Sequence, residues 1–148
     1  MLTVTDLKQL YEIDDYQWLE ETVKRLRNKQ FNNLDLDNLI EELEDLGREK
    51  KNAVASLLDQ IIRHLLLLQY WEAEKEYNST HWQCEIYTFR VQLRRKLTTN
   101  LCNYLEAELN NIYQDALGFV KIKTQNKVNF PSQCPYSIEQ LLDQEWLS

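Results

Sequence analysis

Residues 36–71 read LDNLIEELEDLGREKKNAVASLLDQIIRHLLLLQYW, and this stretch decides the fold. It holds no proline and one glycine, and its apolar side chains fall at Leu36, Leu39, Ile40, Leu43, Leu46, Val54, Leu57, Leu58, Ile61, Leu65 and Leu68. Steps of three and four residues bring these side chains to one side of a helix, so the stretch predicts one long amphipathic helix. Asp35 or Asp37 is its expected N-cap, and the acids of its first turns suit the positive end of the helix dipole. Gly47 costs about 1 kcal/mol relative to alanine inside a helix, which predicts either a bend there or another backbone packed close.

Upstream, the sequence predicts a short helical turn around Asp6 to Glu12. Asp14 then caps a helix to about Lys29, with Trp18, Leu19, Val23 and Leu26 on its buried side, and Phe31-Asn32-Asn33 is a connector. Downstream, Glu72 to Thr80 is polar and reads as a turn. Ser79 or Thr80 is expected to cap a third helix carrying Trp82, Ile86, Phe89, Leu93 and Leu97, which returns antiparallel along the long one. Thr98-Thr99-Asn100 has weak helix propensity and predicts a break before a fourth stripe, Leu101, Leu105, Leu109, Ile112, Ala116 and Val120. One continuous helix from Thr80 to Lys121 is the alternative. The pattern stops at Lys123, Asn129 to Pro135 is extended because residues before proline avoid helical angles, and Ser137 with Gln140 forms a capping box for a last short helix through Leu141 and Leu142.

The expected class is therefore all-α: a helical bundle built on a long antiparallel helical hairpin, followed by a proline-containing tail and a short final helix. With 148 residues the chain fits a single domain, the bundle over 1–128 and the tail over 129–148. Only two glycines and two prolines occur, which leaves little from which to build hairpins. A net charge of −7 disfavours nonspecific attraction to phosphate backbones or anionic lipid. The longest apolar run, Leu65 to Leu68, is far short of the roughly 20 residues that span a bilayer, so no membrane is expected. Met1 to Asp6 lacks the basic start and apolar core of a signal peptide, and the scattered Cys84, Cys102 and Cys134 suit free thiols; both point to the cytoplasm.

Several pieces of the chain, in order, resemble the bacterial family known as domain of unknown function 29, small helical proteins numerous in cyanobacteria. They are residues 11–20 (YEIDDYQWLE) and 39–48 (LIEELEDLGR), His64-Leu65-Leu66, Trp82 with Arg90, Phe130-Pro131, Cys134-Pro135-Tyr136 and residues 139–143 (EQLLD). The family often has a proline at the junction of the third and fourth helices, where this chain has none. The resemblance implies a helical fold and, the family having no assigned activity, no established catalytic residues.

Candidate positions follow from residue chemistry. Glu41, Glu42, Glu44, Asp45 and Glu49 gather carboxylates on the long helix, with Glu41, Asp45 and Glu49 on one face and Glu42 nearer the core boundary. They read as a solvated, partly salt-bridged face, as an acidic surface for a partner, or as a hard-cation site that would want Glu-x-x-His partners the chain does not have. His64, beside the leucine stripe, reads as a packed histidine held by Glu85 or a hydroxyl, or as a proton-transfer group. His81, Cys84 and Glu85 are formally zinc ligands without a second pair, and Cys134 reads as a small residue pinning the tail rather than a nucleophile. Arg90, Arg94, Arg95 and Lys96 form a basic patch suited to ion pairs with Asp59 and other acids of the long helix, or to a nucleic-acid backbone. Tyr70, Trp71 and Trp146 fit the apolar stripes less easily, and if exposed they would mark a sticky, partner-binding end.

The function expected from these residues is a noncatalytic protein-interaction or regulatory module, with no catalytic residue, metal or cofactor assigned. The alternatives are a metal protein or enzyme using His64 and carboxylates, and nucleic-acid binding through Arg90 to Lys96. The candidate functional positions are Glu41, Glu42, Asp45, His64, Trp82, Glu85 and Arg90. A 35-residue helix is ~50 Å long, more than a small monomer covers, which predicts a homodimer or another protein along it.

Overall fold

The computed structural model describes residues 4–147, with side chains from Leu7 onward; the reading of Met1 to Thr3 as lacking a signal lies outside the described residues. These residues form six α-helices and one 3-10 turn, and no strand occurs among them. Helices α1 (Val4–Ile13) and α2 (Asp15–Arg27) are followed by the turn Phe31–Asn33, the long α3 (Leu36–Tyr70), α4 (Glu72–Lys96), α5 (Thr99–Lys123) and the short α6 (Ile138–Leu142). Two compact units divide the chain, Met1–Glu49 and Lys50–Ser148.

In Met1–Glu49, Asp14 caps α2 by accepting from the Gln17 backbone N–H at 3.0 Å. The helix closes at Asn28 without a glycine. Lys29 takes the left-handed region (φ 57°), and the Gln30 and Lys29 amides return to the Arg25 and Leu26 carbonyls, the paired bonds of a Schellman ending. Among the described side chains of this unit, the buried apolar ones are Leu7, Trp18 and Leu34. Asp35, just before α3, is fully buried, but its carboxylate accepts from the Trp18 indole (3.3 Å) and the Asn38 amide (2.7 Å) rather than from a helix amide.

The expected inner face of α2 is only partly correct. Trp18 is buried beside Thr22 and Arg25, whereas Leu19, Val23 and Leu26 are exposed. The cause is rotational. Positions 18, 22 and 25 share one side of α2, held by the Trp18–Asp35 bond and by Arg25 donating to the Asn33 carbonyl at 2.6 Å, and this turns the aliphatic stripe outward.

In Lys50–Ser148 the core is built from Val54, Leu58, Ile61 and Leu65 of α3, Trp82, Ile86 and Leu93 of α4, and Leu105, Ile112, Ala116 and Val120 of α5. His64 meets Phe89 and Trp71 meets Trp82, so α4 runs antiparallel to α3, as the spacing predicts. Lys51 lies over Tyr104 and Arg63 over Phe119, so α5 runs parallel to α3. Two helices, not one, cover this part of the chain: Thr98 ends the run and caps α5 by accepting from the Leu101 amide at 3.2 Å. The segment expected as a turn, residues 72–80, is helical. Glu72 and Glu74 favour the first turn of α4, and non-helical angles at Trp71 alone separate it from α3.

The tail folds back as extended chain. The Tyr113 hydroxyl donates to the Pro131 carbonyl, the Gln114 amide to the Ser132 carbonyl at 3.0 Å, and Tyr136 to the Gln69 side chain at 3.0 Å. Ser137 and Gln140 make the full capping box of α6. Tyr70, Trp71 and Trp146 are half-buried and packed on Phe130, Trp82 and Tyr136, so the exposure that would mark a sticky end is not met.

Candidate functional site

A cleft of about 840 Å³ opens in the Lys50–Ser148 unit, within the size range of small-molecule sites. From α3 it takes Gln60, Arg63 and His64; Trp71 and Trp82 stack at 6.0 Å along one wall. Glu85 and Phe89 come from α4, and Phe119 and Lys123 from α5. Of the candidate positions, His64, Trp82 and Glu85 therefore line one site.

His64 is held differently from the expectation. Its Nδ1 lies 2.6 Å from the Gln60 carbonyl of its own helix, and since a carbonyl only accepts, Nδ1 carries the proton and Nε2 is left as the lone-pair nitrogen. Neither Glu85 nor a hydroxyl holds the ring; Phe89 packs against it at 5.5 Å. Burial pushes the His64 pKa below its ordinary value, outweighing the Gln60 bond and the nearby Glu85 charge that pull it up, while His81 and Lys123 push it further down. The arrangement presents a neutral hydrogen-bond acceptor and proton acceptor to an aromatic-walled cleft.

Arg63 makes a bidentate pair with Asp59, both bonds 3.0 Å, and its guanidinium lies 3.9 Å from the centre of the Phe119 ring. Burial raises the Asp59 pKa and Arg63 pulls it back. Asp59 is thus occupied by a residue of its own helix. The expected pairing of Arg90 and Arg94 with Asp59 is not made.

Arg90 is the second correction. It is buried, and its guanidinium donates to three carbonyls of the tail, Leu141 (2.8 Å), Trp146 (2.6 Å) and Gln140 (3.1 Å). Leu141 and Gln140 lie in the last turn of α6, where a cation suits the carbonyl end of the helix, and the Gln140 carbonyl also accepts from the Asp143 backbone N–H at 3.3 Å. Arg90 is a tail anchor, and the exposed basic patch reduces to Arg94, Arg95 and Lys96.

The acidic positions belong to the Met1–Glu49 unit. Glu41 is exposed, Glu42 accepts from the Tyr11 hydroxyl at 2.6 Å, and Asp45 pairs with Arg48. The bond to Glu42 pushes the Tyr11 pKa up to about 12. Among the described residues, no three His, Cys, Asp or Glu side chains gather as metal ligands, either at this cluster or at His81, Cys84 and Glu85. Cys134 is half-buried, with its pKa raised by burial and its thiol donating to the Tyr136 carbonyl at 3.5 Å, the setting of a packed thiol.

The same unit carries the second candidate surface. Fourteen large apolar side chains are exposed among the described residues, and ten of them lie in Met1–Glu49, a third of the chain. On α3 they are Leu36, Ile40, Leu43 and Leu46; on α2 they are Leu19, Val23 and Leu26. The stripe that forms the core over Val54 to Leu68 is bare over Leu36 to Leu46. Among the described residues no helix is long and apolar enough to cross a membrane.

Arg63, Phe119 and Lys123 escaped the sequence reading. Phe119 and Lys123 stand four apart on α5 and Gln60 and His64 four apart on α3, a spacing that puts each pair on one helix face; nothing in a single sequence says that those faces meet.

An all-helical fold, with an open aromatic cleft in one unit and bare aliphatic stripes in the other, defines a small all-α protein. The chain belongs to the family described as Domain of unknown function DUF29, whose model matches residues 10–147, nearly its whole length. Neither a curated protein nor a solved structure matches the chain.

Proposed function

We propose that the protein is a noncatalytic interaction module whose docking surface is the bare aliphatic stripe of the Met1–Glu49 unit. The observation that carries this reading is the exposure of Leu36, Ile40, Leu43 and Leu46 along one helix, since water-facing stripes of this kind mark surfaces that another molecule covers. The free cysteines and the acidic charge suit a cytoplasmic protein. Affinity capture from the native host tests it, with the wild type compared with Leu43→Glu. Proteins that copurify with the wild type are expected to be lost from the variant, whose exposed position tolerates the change; an identical set from both overturns the reading.

The His64 cleft favours a second reading, reception of a small molecule that controls the module. The neutral acceptor on His64, the aromatic walls, and the opposite charges of Glu85 and Lys123 supply the features of such a site.

A further inference from the structure

We infer that the cleft of the Lys50–Ser148 unit holds a small zwitterion, an α-amino acid with an apolar or aromatic side chain, its ammonium on Glu85 and His64 and its carboxylate on Lys123. The inference rests on the second reading above and names the class of molecule received.

Helix register carries the argument. His64 meets Phe89 and Trp71 meets Trp82, so along the antiparallel pair Glu85, one turn before Phe89, stands level with Leu68. Arg63 meets Phe119, so on the parallel α5 Lys123, one turn after Phe119, stands level with Leu67. One residue of helix rise is ~1.5 Å, so a carboxylate and an ammonium line the cleft at nearly the same height from two different helices. Among the described residues neither side chain makes an ion pair or a hydrogen bond, with the other or with any further group. Both act on His64, Glu85 drawing its pKa up and Lys123 pushing it down, as His81 of the same lining also does. Two opposite charges therefore border one space without meeting across it.

The remaining polar groups narrow the occupant. Arg63 is engaged by Asp59 and the Asn78 amide by Glu74, so Lys123 is the basic side chain of α3 and α5 left in the lining for an anion. A phosphate or a dicarboxylate would face Glu85, and a simple amine would leave Lys123 unanswered; a zwitterion satisfies both. An ammonium has three N–H donors, and two acceptors line the cleft on facing helices, the Glu85 carboxylate and the Nε2 lone pair of His64. One turn from the charged level on either side lie aromatic surfaces, Trp71 with Trp82 and Phe89 with Phe119, on which the ligand's own side chain packs. The volume of about 840 Å³ admits the larger side chains.

Calorimetric titration of the full chain tests this with three probes that share one ring: L-phenylalanine, phenethylamine, which lacks the carboxylate, and 3-phenylpropionate, which lacks the ammonium. The indole N–H signals in the proton–nitrogen NMR spectrum are followed in parallel. L-phenylalanine is expected to bind about tenfold or more tightly than either analogue. It should move the signals of Trp71 and Trp82 and leave in place those of Trp18 and Trp146, which lie outside the lining. Glu85→Gln and Lys123→Met are each expected to weaken L-phenylalanine by about tenfold with unchanged helical circular dichroism, the first bringing it level with 3-phenylpropionate and the second with phenethylamine. Equal affinity for all three probes overturns the zwitterion, and so does L-phenylalanine binding that both variants leave intact. The two readings fail separately. An analogue that binds as tightly as L-phenylalanine and moves Trp71 and Trp82 keeps the receptive cleft and removes the zwitterion; no movement with any of the three removes both.

Discussion

A histidine held by its own helix titrates by different rules from one held by a carboxylate. The Gln60 carbonyl accepts from Nδ1–H in either charge state, so it fixes the ring without strongly favouring the charged form, and burial decides the direction of the shift. His64 therefore has a folded pKa below its unfolded value near 6.5. The unfolded chain binds the proton more readily, so the stability linked to His64 is complete above about pH 6.5 and is lost as pH falls toward the folded value. Urea unfolding is expected to show a lower midpoint at about pH 5.5 than at about pH 7.5. In His64→Gln the part of that slope owed to the ring disappears; an identical slope in the variant would assign the loss to other groups. The sequence placed His64 beside the leucine stripe correctly, but its partner was not legible, because a backbone carbonyl four residues back leaves no mark in residue type.

At the scale of elements, what periodicity reports reliably is a helix whose apolar side is continuous. The long helix is α3 from Leu36 to Tyr70 for this reason. Periodicity does not report which side is covered. The stripe Leu19, Val23 and Leu26 is as regular as that of Leu58, Ile61 and Leu65, yet one faces water and the other the core, because the choice lies with the Trp18–Asp35 and Arg25–Asn33 bonds outside the stripe. The first turns of α4 went unread for the opposite reason, since Glu, Ala and Lys build helix by propensity and leave no apolar signal. Two helix endings were equally silent. Lys29 and Gln125 adopt left-handed angles at the ends of α2 and α5, a role sequence reading looks for in glycine. Gly47 answers its own question: α3 runs through it, and no side chain or neighbouring element comes within 4 Å of where its Cβ would be. Gly47→Ala is therefore expected to raise the free energy of unfolding by about 1 kcal/mol, measured in urea at a dilution where the chain is monomeric. A loss of stability there would mean that a neighbour needs the gap.

For the molecule as a whole, the all-helical class and the antiparallel return of α4 were legible. A residue count around a hairpin turning near Lys75 set His64 opposite Glu85 and Ile86, whereas the break falls at Trp71 and the ring packs on Phe89, with Glu85 elsewhere in the same cleft. The α5 side of the cleft was not legible, because Phe119 and Lys123 arrive there through the parallel placement of α5 on α3. The role of Arg90 was hidden for a similar reason: its acceptors lie fifty and more residues away and are main-chain atoms. Its guanidinium replaces the water that the α6 carbonyls would otherwise need in a buried setting. Arg90→Met keeps the apolar stem and removes the three donors, and is expected to cost about 3 kcal/mol of stability. Limited proteolysis should then cut the variant beyond Phe130 under conditions that leave the wild type whole. An unchanged cleavage pattern would show that Tyr113, Gln114 and Tyr136 suffice to hold the tail.

The Trp71–Trp82 wall has a consequence of another kind. Two indoles with centres 6.0 Å apart and planes inclined by 18° are close enough for their electronic transitions to couple, so the pair should contribute an exciton signal to the circular dichroism, with no dye attached. Because the pair borders the cleft that holds His64, any guest that slides between or against the rings changes that signal directly. The protein thus carries a native optical gauge for screening compounds against the cleft, and Trp82→Phe is the blank that tells its signal from that of the other tryptophans.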